Sequence, residues 1–457
     1  MIEVKNIREK YILLAEPTKE ELVDELLRLR EEIEILKKKL ETKNTSEKFV
    51  TEKKKHKKHW KPLGRPEGHP GTTRIKPAHI NYEIHQTLDM CPDCKQNTLS
   101  ELPSEKQIHI QEDIIPVKIE ATKFVRHGYW CSHCKEKKAA PYAAGEIPYG
   151  YLGPNILIQA ILMKYHHGLP YEKMRMMFKD FHNLEVTTSA LAQALQRMGR
   201  WLNVEEAVIL EAIRSSPYVH MDETGWKIAG SSHWLWDIVN DQLALYRIRV
   251  SRGQKVPEEI LTKDYQGIVI SDFLSAYNKS GKKRQRCLVH LVREMKKCRE
   301  LDRTEESQKA YRCLNRIIKD AYRLDNEREK LNMVLFLRRF HLVKERLFNF
   351  ACDTYKSEHW KRISKRLLKY YEEIFTFLEV KGLPSHNNHA ERMIRPNVIF
   401  RKISFQNMSV KGAQAHEVLM SLLQTLRLQK QNPIAFFKEA YLKHRQGNLS
   451  PILDLSP

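Results

Sequence analysis

Three carboxylates in this chain fall where one element gives way to the next, the places from which side chains are most easily gathered into a site. Asp222 follows the strand-like run Tyr218 to Met221, and Asp272 follows Gly267 to Ser271. Glu391 lies in the segment SHNNHAERMIRP, at the start of a helical pattern that Pro396 should kink or stop. Neighbouring strands of one sheet bring distant positions together, so the three side chains could share hard divalent cations. Magnesium, keeping several waters and borrowing oxygens from a substrate phosphate, asks for no more than this from the protein. A pair of such ions suits phosphodiester cleavage, one activating the attacking water or 3′ hydroxyl and the other stabilising the leaving oxygen. Each residue also has an ordinary explanation: a turn for Asp222, a helix cap for Asp272, a capping box with Asn388 for Glu391. Singly those explanations are the better ones; in the order strand, strand, helix, the shared site is better.

A second set of ligand types sits earlier. Cys91-Pro-Asp-Cys94 and Cys131-Ser-His-Cys134 are two C-x2-C knuckles in a chain of eight cysteines. Close pairs of that kind in a reducing compartment point to metal and not to disulfides. Four thiolates close a tetrahedral zinc site with no open position, so one structural zinc ion would staple a small β-domain and do no chemistry. His133 could replace one ligand. The spacer includes an alternating run, Ile108 to Tyr129, that predicts a strand.

The charge of the chain says what these groups would meet. Lysine and arginine total 79 against 57 acidic residues, a formal charge of +22, which suits nucleic acid. No apolar run approaches the roughly 18 residues that span a bilayer. The charged start, with Glu3, Lys5, Arg8, Glu9 and Lys10, lacks a secretory signal pattern. The expectation is a cytoplasmic protein without a membrane partner.

Leu22, Leu26, Leu29, Ile33, Leu36 and Leu40 alternate spacings of four and three. They make either a short coiled-coil seam, and so a dimer handle, or one amphipathic helix packed on its own protein. A basic linker follows, in which Lys53, Lys54, Lys55, Lys57, Lys58 and Arg65 could lie along phosphates or enter a minor groove. Helical patterns at Ile156 to Met163 and Tyr171 to Phe181 precede a third from Ser189 to Trp201, which Thr187, Thr188 or Ser189 could cap. That third helix carries Gln193, Gln196, Arg197 and Arg200, compatible with helix-turn-helix recognition of DNA. Leu191, Leu195 and Met198 fit ordinary packing equally well. Strand-like runs then appear in YVHMDETGWKI, HWLWDIVND, LALYRIRV and GIVISDF, with a helix near Pro257 to Lys263. Neither proline nor glycine occurs from Lys282 to Lys381, which predicts an all-helical insertion.

The segments MDETGW with HWLWDIVND, SDFLSAY with CLVH, and HNNHAERMIRPNVIFRK resemble the successive blocks of the insertion-sequence-66 family of bacterial transposases. The likeness runs over nearly all the chain, and the last block is its most specific part. This resemblance implies a DDE transposase that binds the ends of an insertion sequence and catalyses metal-dependent DNA cleavage and strand transfer. It implies a ribonuclease-H-like core whose triad falls on Asp222, Asp272 and Glu391, holding two magnesium or manganese ions. Cys287 and His290 match the family's Cys-x-x-His, in a structural or a substrate-positioning role. Arg392, Arg395, Arg401 and Lys402 follow Glu391 closely and could neutralise phosphates, or some could only complete surface ion pairs. The partners implied are element ends and target DNA, a second copy in an oligomer that is at least a dimer, and small accessory proteins of the same element, at the bacterial nucleoid. Two alternatives stay open: a transposase-derived DNA-binding protein that no longer cuts, and a metal-dependent nuclease without transfer activity.

The expected fold is multidomain α+β. It begins with a helical or coiled-coil segment at 1–45, a basic linker at 46–88, a zinc-binding domain at 89–140 and a helix-turn-helix-like domain at 141–205. The ribonuclease-H-like α/β core takes 206–293 and 384–412, interrupted by the helical insertion at 294–383 and followed by a helical tail at 413–457.

Overall fold

The computed structural model describes residues 77–444, apart from 98, 101–107, 113–118, 144–145 and 148–149, and also 450–453 and 455. The leucine-rich start and the basic residues Lys53, Lys54, Lys55, Lys57, Lys58 and Arg65 lie outside the described residues. Two compact units divide the chain, Met1–His109 and Ile110–Pro457. In the first, Cys91–Cys94 makes a tight turn in which the Lys95 N–H donates to Cys91 O at 2.8 Å.

The second unit opens with an antiparallel hairpin, β1 (Gly128–Cys131) and β2 (Glu136–Ala139). The strand expected from Ile108 to Tyr129 forms, among the described residues, only from Gly128 onward. Ile108, Ile110 and Val125 stay exposed, and alternation without a partner strand or a covering layer does not hold a strand.

Four helices follow: α1 (Pro154–Ile161), which runs into a π-turn at Leu162–His166, α2 (Tyr171–His182), α3 (Thr188–Trp201) and α4 (Asn203–Ser215). Pro154 opens α1 where its missing N–H would have no helical partner anyway. Of the three candidates, Thr187 is the cap of α3, its hydroxyl accepting the Ala190 N–H at 3.1 Å. The inner face of α3 buries Leu191, Leu195 and Met198.

A five-stranded mixed sheet comes next: β3 (Tyr218–Ile228), β4 (Ser231–Val239), β5 (Ala244–Arg249), β6 (Ile268–Ser271) and β7 (Lys283–Arg286), in the order β5-β4-β3-β6-β7. The first three strands are an antiparallel meander; β6 pairs parallel with β3, and β7 parallel with β6. Helix α5 (Lys255–Leu261) joins β5 to β6. Alternation divides the side chains between two cores. Val219, Met221, Trp236 and Val269 join the α1–α4 side, while Ile268 and Ile270 join the helices that come after the sheet.

Those later helices are α6 (Leu288–Leu301), α7 (Glu305–Asn326), α8 (Met333–Cys352), α9 (Glu358–Lys369) and the short α10 (Tyr371–Ile374) and α11 (Thr376–Glu379). They pack around Leu314, Leu347, Trp360 and Leu367, the helical block that an absence of proline and glycine favours. The chain then returns to the sheet in α12 (Asn388–Ser404), α13 (Val410–Leu428) and α14 (Pro433–His444). Pro396 does not stop α12, which runs through it. An internal proline costs about 3 kcal/mol. Against that, α12 buries Ile394, Asn397 and Phe400, and its Met393 carbonyl accepts the Tyr246 hydroxyl at 2.7 Å.

Helix α13 closes one edge of the sheet. Glu417, Ser421 and Thr425, four residues apart along it, accept the N–H groups of Ile248 at 2.6 Å, Tyr246 at 2.9 Å and Ala244 at 3.0 Å. The outward donors of β5 are therefore satisfied by side chains. His416, on the same helix, is wholly buried against the rings of Tyr165, Trp226 and Phe400, with Nε2 donating to Asn397 Oδ1 at 2.7 Å. Burial, then the charge of Lys164, pushes it down to about 3. The folded state keeps it neutral while the unfolded chain takes up a proton near pH 6.5, so its contribution is complete above that pH and lost as pH falls toward 3. Relative to the parent, a His416→Gln variant should gain about 1.4 kcal/mol of stability per pH unit below 6.5. Denaturant unfolding at pH 7, 6 and 5 measures this, and parallel curves would refute it. Among the described residues no helix is long and apolar enough to cross a membrane.

Candidate metal centre and nucleic-acid interface

In the parallel pair β3 and β6, Tyr218 stands opposite Ile268 and His220 opposite Ile270. Carried on two residues, that register sets Asp272 level with Asp222. Asp222 does not end its strand as expected. It lies inside β3, which continues beyond its parallel neighbour and stays paired with β4 as far as Ile228. The carboxylate is half-buried and accepts the Glu223 N–H at 2.9 Å. Burial first, then the charge of Glu223, pushes it up to about 7, and the charges of Asp272 and Glu391 act in the same direction.

The ordinary explanations can now be weighed. Asp272 Oδ1 accepts the Leu274 N–H at 2.8 Å, so one of its oxygens does cap the turn into the short 3-10 segment Ser275–Tyr277. Glu391 makes no capping box: α12 has no side-chain cap, and Glu391 Oε1 lies 3.6 Å from His290 Nε2. That puts His290 beside Glu391.

Among the described residues, no three ligand-type side chains are already close enough to hold an ion. The donor chemistry nevertheless fits a hard cation. Glu391 Oε1 and both oxygens of Asp237, across the sheet from Asp222, are buried without a hydrogen-bond partner. Unpaired buried carboxylate oxygens are costly, and an all-oxygen set is what magnesium or manganese takes.

Neighbouring groups fix these positions. Asn387, just before α12, donates from Nδ2 to Met221 O at 2.7 Å and accepts from His220 Nδ1 at 3.1 Å. Its backbone N–H donates to Cys287 Sγ at 3.1 Å. Cys287 thus fastens the start of the Glu391 helix to the end of β7, and burial pushes its thiol up, away from the thiolate a metal would need. Arg286, wholly buried, holds the Asp272 loop: it donates to Asp272 O and to Asn278 Oδ1, each at 2.8 Å, and pairs with Glu373 at 2.6 Å. Sequence reasoning missed His220, Asp237, Arg286 and Asn387. Of these only Asp237 carries a visible signal, a lone acid in the apolar run WLWDIV.

An open cavity of about 510 Å³ begins at Asp272 and is lined by residues of α6 and α9, among them His290, Arg293, Glu294, Lys297, Arg362 and Arg366. Glu294 pairs with Arg362 at 3.2 Å and also with Arg366. On α12, Arg392, Arg395 and Lys402 are exposed. Arg401 is turned inward, donating to Thr224 Oγ1 at 3.1 Å and to Gly225 O, so it ties α12 to β3. On α3, Gln193 and Arg200 are exposed, whereas Gln196 and Arg197 are partly buried, Arg197 lying over the Trp201 ring.

The two cysteine pairs turn alike, with Lys95 at φ 55° after the first and Lys135 at φ 50° after the second. Cys131 Sγ accepts the Cys134 N–H at 3.4 Å. Backbone N–H groups, of Cys94 beside Cys91 and of Cys134 beside Cys131, lower both thiols and favour the thiolate that zinc takes.

A family model described as the zinc-finger binding domain of transposase IS66 matches residues 89–135, which include both cysteine pairs. The chain is similar to uncharacterized proteins of Sinorhizobium fredii. With y4qI it is 24% identical over 331 residues, 64% of this chain and 59% of the relative. With y4hP it is 22% identical over 409 residues, 80% of this chain and 72% of the relative. It thus spans 59% of the length of the first of them. The model described as Transposase IS66 family matches residues 149–415, from just before α1 through the sheet and α12 into the first turns of α13. With more than half of its length under that one model, the chain belongs to the IS66 family of transposases and carries the family's zinc-finger domain.

Proposed function

We propose that the chain is an active DDE transposase, which binds the ends of its own insertion sequence, cleaves DNA there and joins the freed ends to a target. The observation that carries this reading is the parallel register setting Asp272 level with Asp222, with the helix of Glu391 laid against β3 and β4. A meander of three antiparallel strands followed by two parallel ones, with helices on both faces, supports a ribonuclease-H-like core.

When bound, a pair of magnesium or manganese ions supplies activation of the attacking oxygen and neutralisation of the leaving one. Asp222, Asp272 and Glu391 would hold that pair. Asp222, whose burial beside Glu223 favours the protonated acid, would release that proton on holding them, and His290 stands beside Glu391 at 3.6 Å. Water attacks first at each end, and the 3′ hydroxyl so released attacks target DNA. Arg392, Arg395 and Lys402 meet backbone phosphates beside the triad, Arg293 and Lys297 do so in the neighbouring cavity, and Gln193 and Arg200 present α3 to the element ends. The remaining parts of the proposal are the division into seven segments given above, assembly at least as a dimer through the leucine-rich start, action at the nucleoid, and accessory proteins of the same element.

The test mixes the full chain with linear DNA bearing the terminal repeats, a supercoiled target and magnesium. Nicked ends and joined products are expected. Binding without cleavage in either magnesium or manganese would reduce the chain to a DNA-binding protein, and cleaved ends without joined products would leave it a nuclease.

A further inference from the structure

Asp237 of β4 stands directly opposite Asp222 of β3 on one side and Tyr246 of β5 on the other. Directly opposed residues project to the same face of a sheet. Tyr246, Asp237, Asp222 and, by continuation of the parallel register, Asp272 therefore form one row. Helix α12 crosses that face, for the Tyr246 hydroxyl donates to Met393 O at 2.7 Å, two residues along from Glu391. Asp237 is 0% exposed, and neither of its oxygens has a well-formed hydrogen bond; the backbone N–H groups of Asp222 and of Asp237 itself lie close enough only to favour the carboxylate in part, against burial and the charge of Asp222. A carboxylate in that position is expensive to bury, and an apolar residue of similar volume would pack the strand at lower cost. Something other than packing has to balance it, and the nearest acid, Asp222, makes its situation worse.

We propose that Asp237 is a fourth carboxylate of the divalent-metal centre, supplied by the strand beside Asp222. This rests on the reading that Asp222 helps to hold those cations. A cation held at Asp222 would offset the repulsion between the two opposed acids and would supply the full positive charge that the nearby backbone N–H groups do not. The sheet then contributes three acids in one row and α12 the fourth from above.

Manganese binding to the full chain without DNA, followed by titration calorimetry, separates the possibilities. Asp237→Asn keeps the shape of the side chain and removes its charge, with Asp222→Asn as the comparison. Manganese affinity of Asp237→Asn should fall about ten- to a hundredfold, while its unfolding midpoint without metal stays at or above that of the parent. Asp237→Ser repeats the measurement should the amide disturb packing. Parent-like affinity in the Asp237 variants, with loss in Asp222→Asn, would overturn this inference and leave the proposed function standing. Parent-like affinity in all the variants would overturn both.

Discussion

Replacing Asp222, Asp272 or Glu391 with alanine is expected to lower DNA strand cleavage about a thousandfold or more, a barrier increase of roughly 4 kcal/mol, while the chain stays folded. On the proposed function, the protein's part is to fix a pair of ions, so losing one ligand from a set this small should remove most of the rate. Stability should move differently. The Asp222 carboxyl is pushed up to about 7 by burial and by the charge of Glu223, against 3.8 when unperturbed. Its ionisation thus opposes folding: the penalty is absent below pH 3.8, grows as pH rises toward 7 and is constant above. Asp222→Asn should therefore be at least as stable as the parent at pH 8, by denaturant unfolding, though it has lost cleavage. Cleavage retained in all three alanine variants would sink the assignment. Coincident loss of fold and activity would return these residues to the turns and caps that first explained them.

The second large effect concerns zinc. Freshly purified chain should contain one zinc ion, lost when Cys91 or Cys134 is changed to Ser. Structural zinc in comparable small sites binds with about 10–16 kcal/mol of free energy, much of which is folding free energy. A strong chelator should therefore make residues 89–135 sensitive to proteolysis. Among the described residues, neither apolar core contains one from that segment, so the main unfolding transition should be unaffected. Mass spectrometry of the metal content decides the first point; zinc-free protein with intact thiols would refute the four-cysteine site.

Four strands of the sheet were legible because their apolar patterns end at turns, and Asp272 and Glu391 fell where an end of strand and a start of helix placed them; β7, Lys283–Arg286, lies inside the stretch expected to be all helical, because a run of basic and polar residues shows no apolar pattern and is a strand only through its pairing with β6. Asp222 lies inside its strand and not after it. How far a strand runs depends on its partners, and β4 holds β3 well past the point where β6 stops. The same dependence explains the opposite error at Ile108 to Tyr129, where alternation alone made too long a strand. Pro396 misled because a local rule was outweighed by the hold of the distant Tyr246 on the same helix, which no window of sequence around the proline contains. Arg286 and Asn387 were invisible for a related reason. An arginine or an asparagine becomes a buried clamp only through register and loop contacts set far away in the chain. Asp237 was the missed opportunity, since an acid amid Trp236, Ile238 and Val239 has no reason to be there that packing supplies.

The cover on β5 has a consequence for the life of the chain on the ribosome. Glu417, Ser421 and Thr425 reach their N–H partners across 169, 175 and 181 residues. At about 5–20 residues per second, the strand is made roughly ten to thirty seconds before its guard exists. Throughout that interval the meander presents a row of free donors, a template for any other extended chain nearby. A mutated copy whose reading frame breaks before α13 never escapes that state. Such decayed copies would enter the cell as sticky fragments marked for chaperones and proteases, and would leave no well-folded competitor for the DNA ends of their intact siblings.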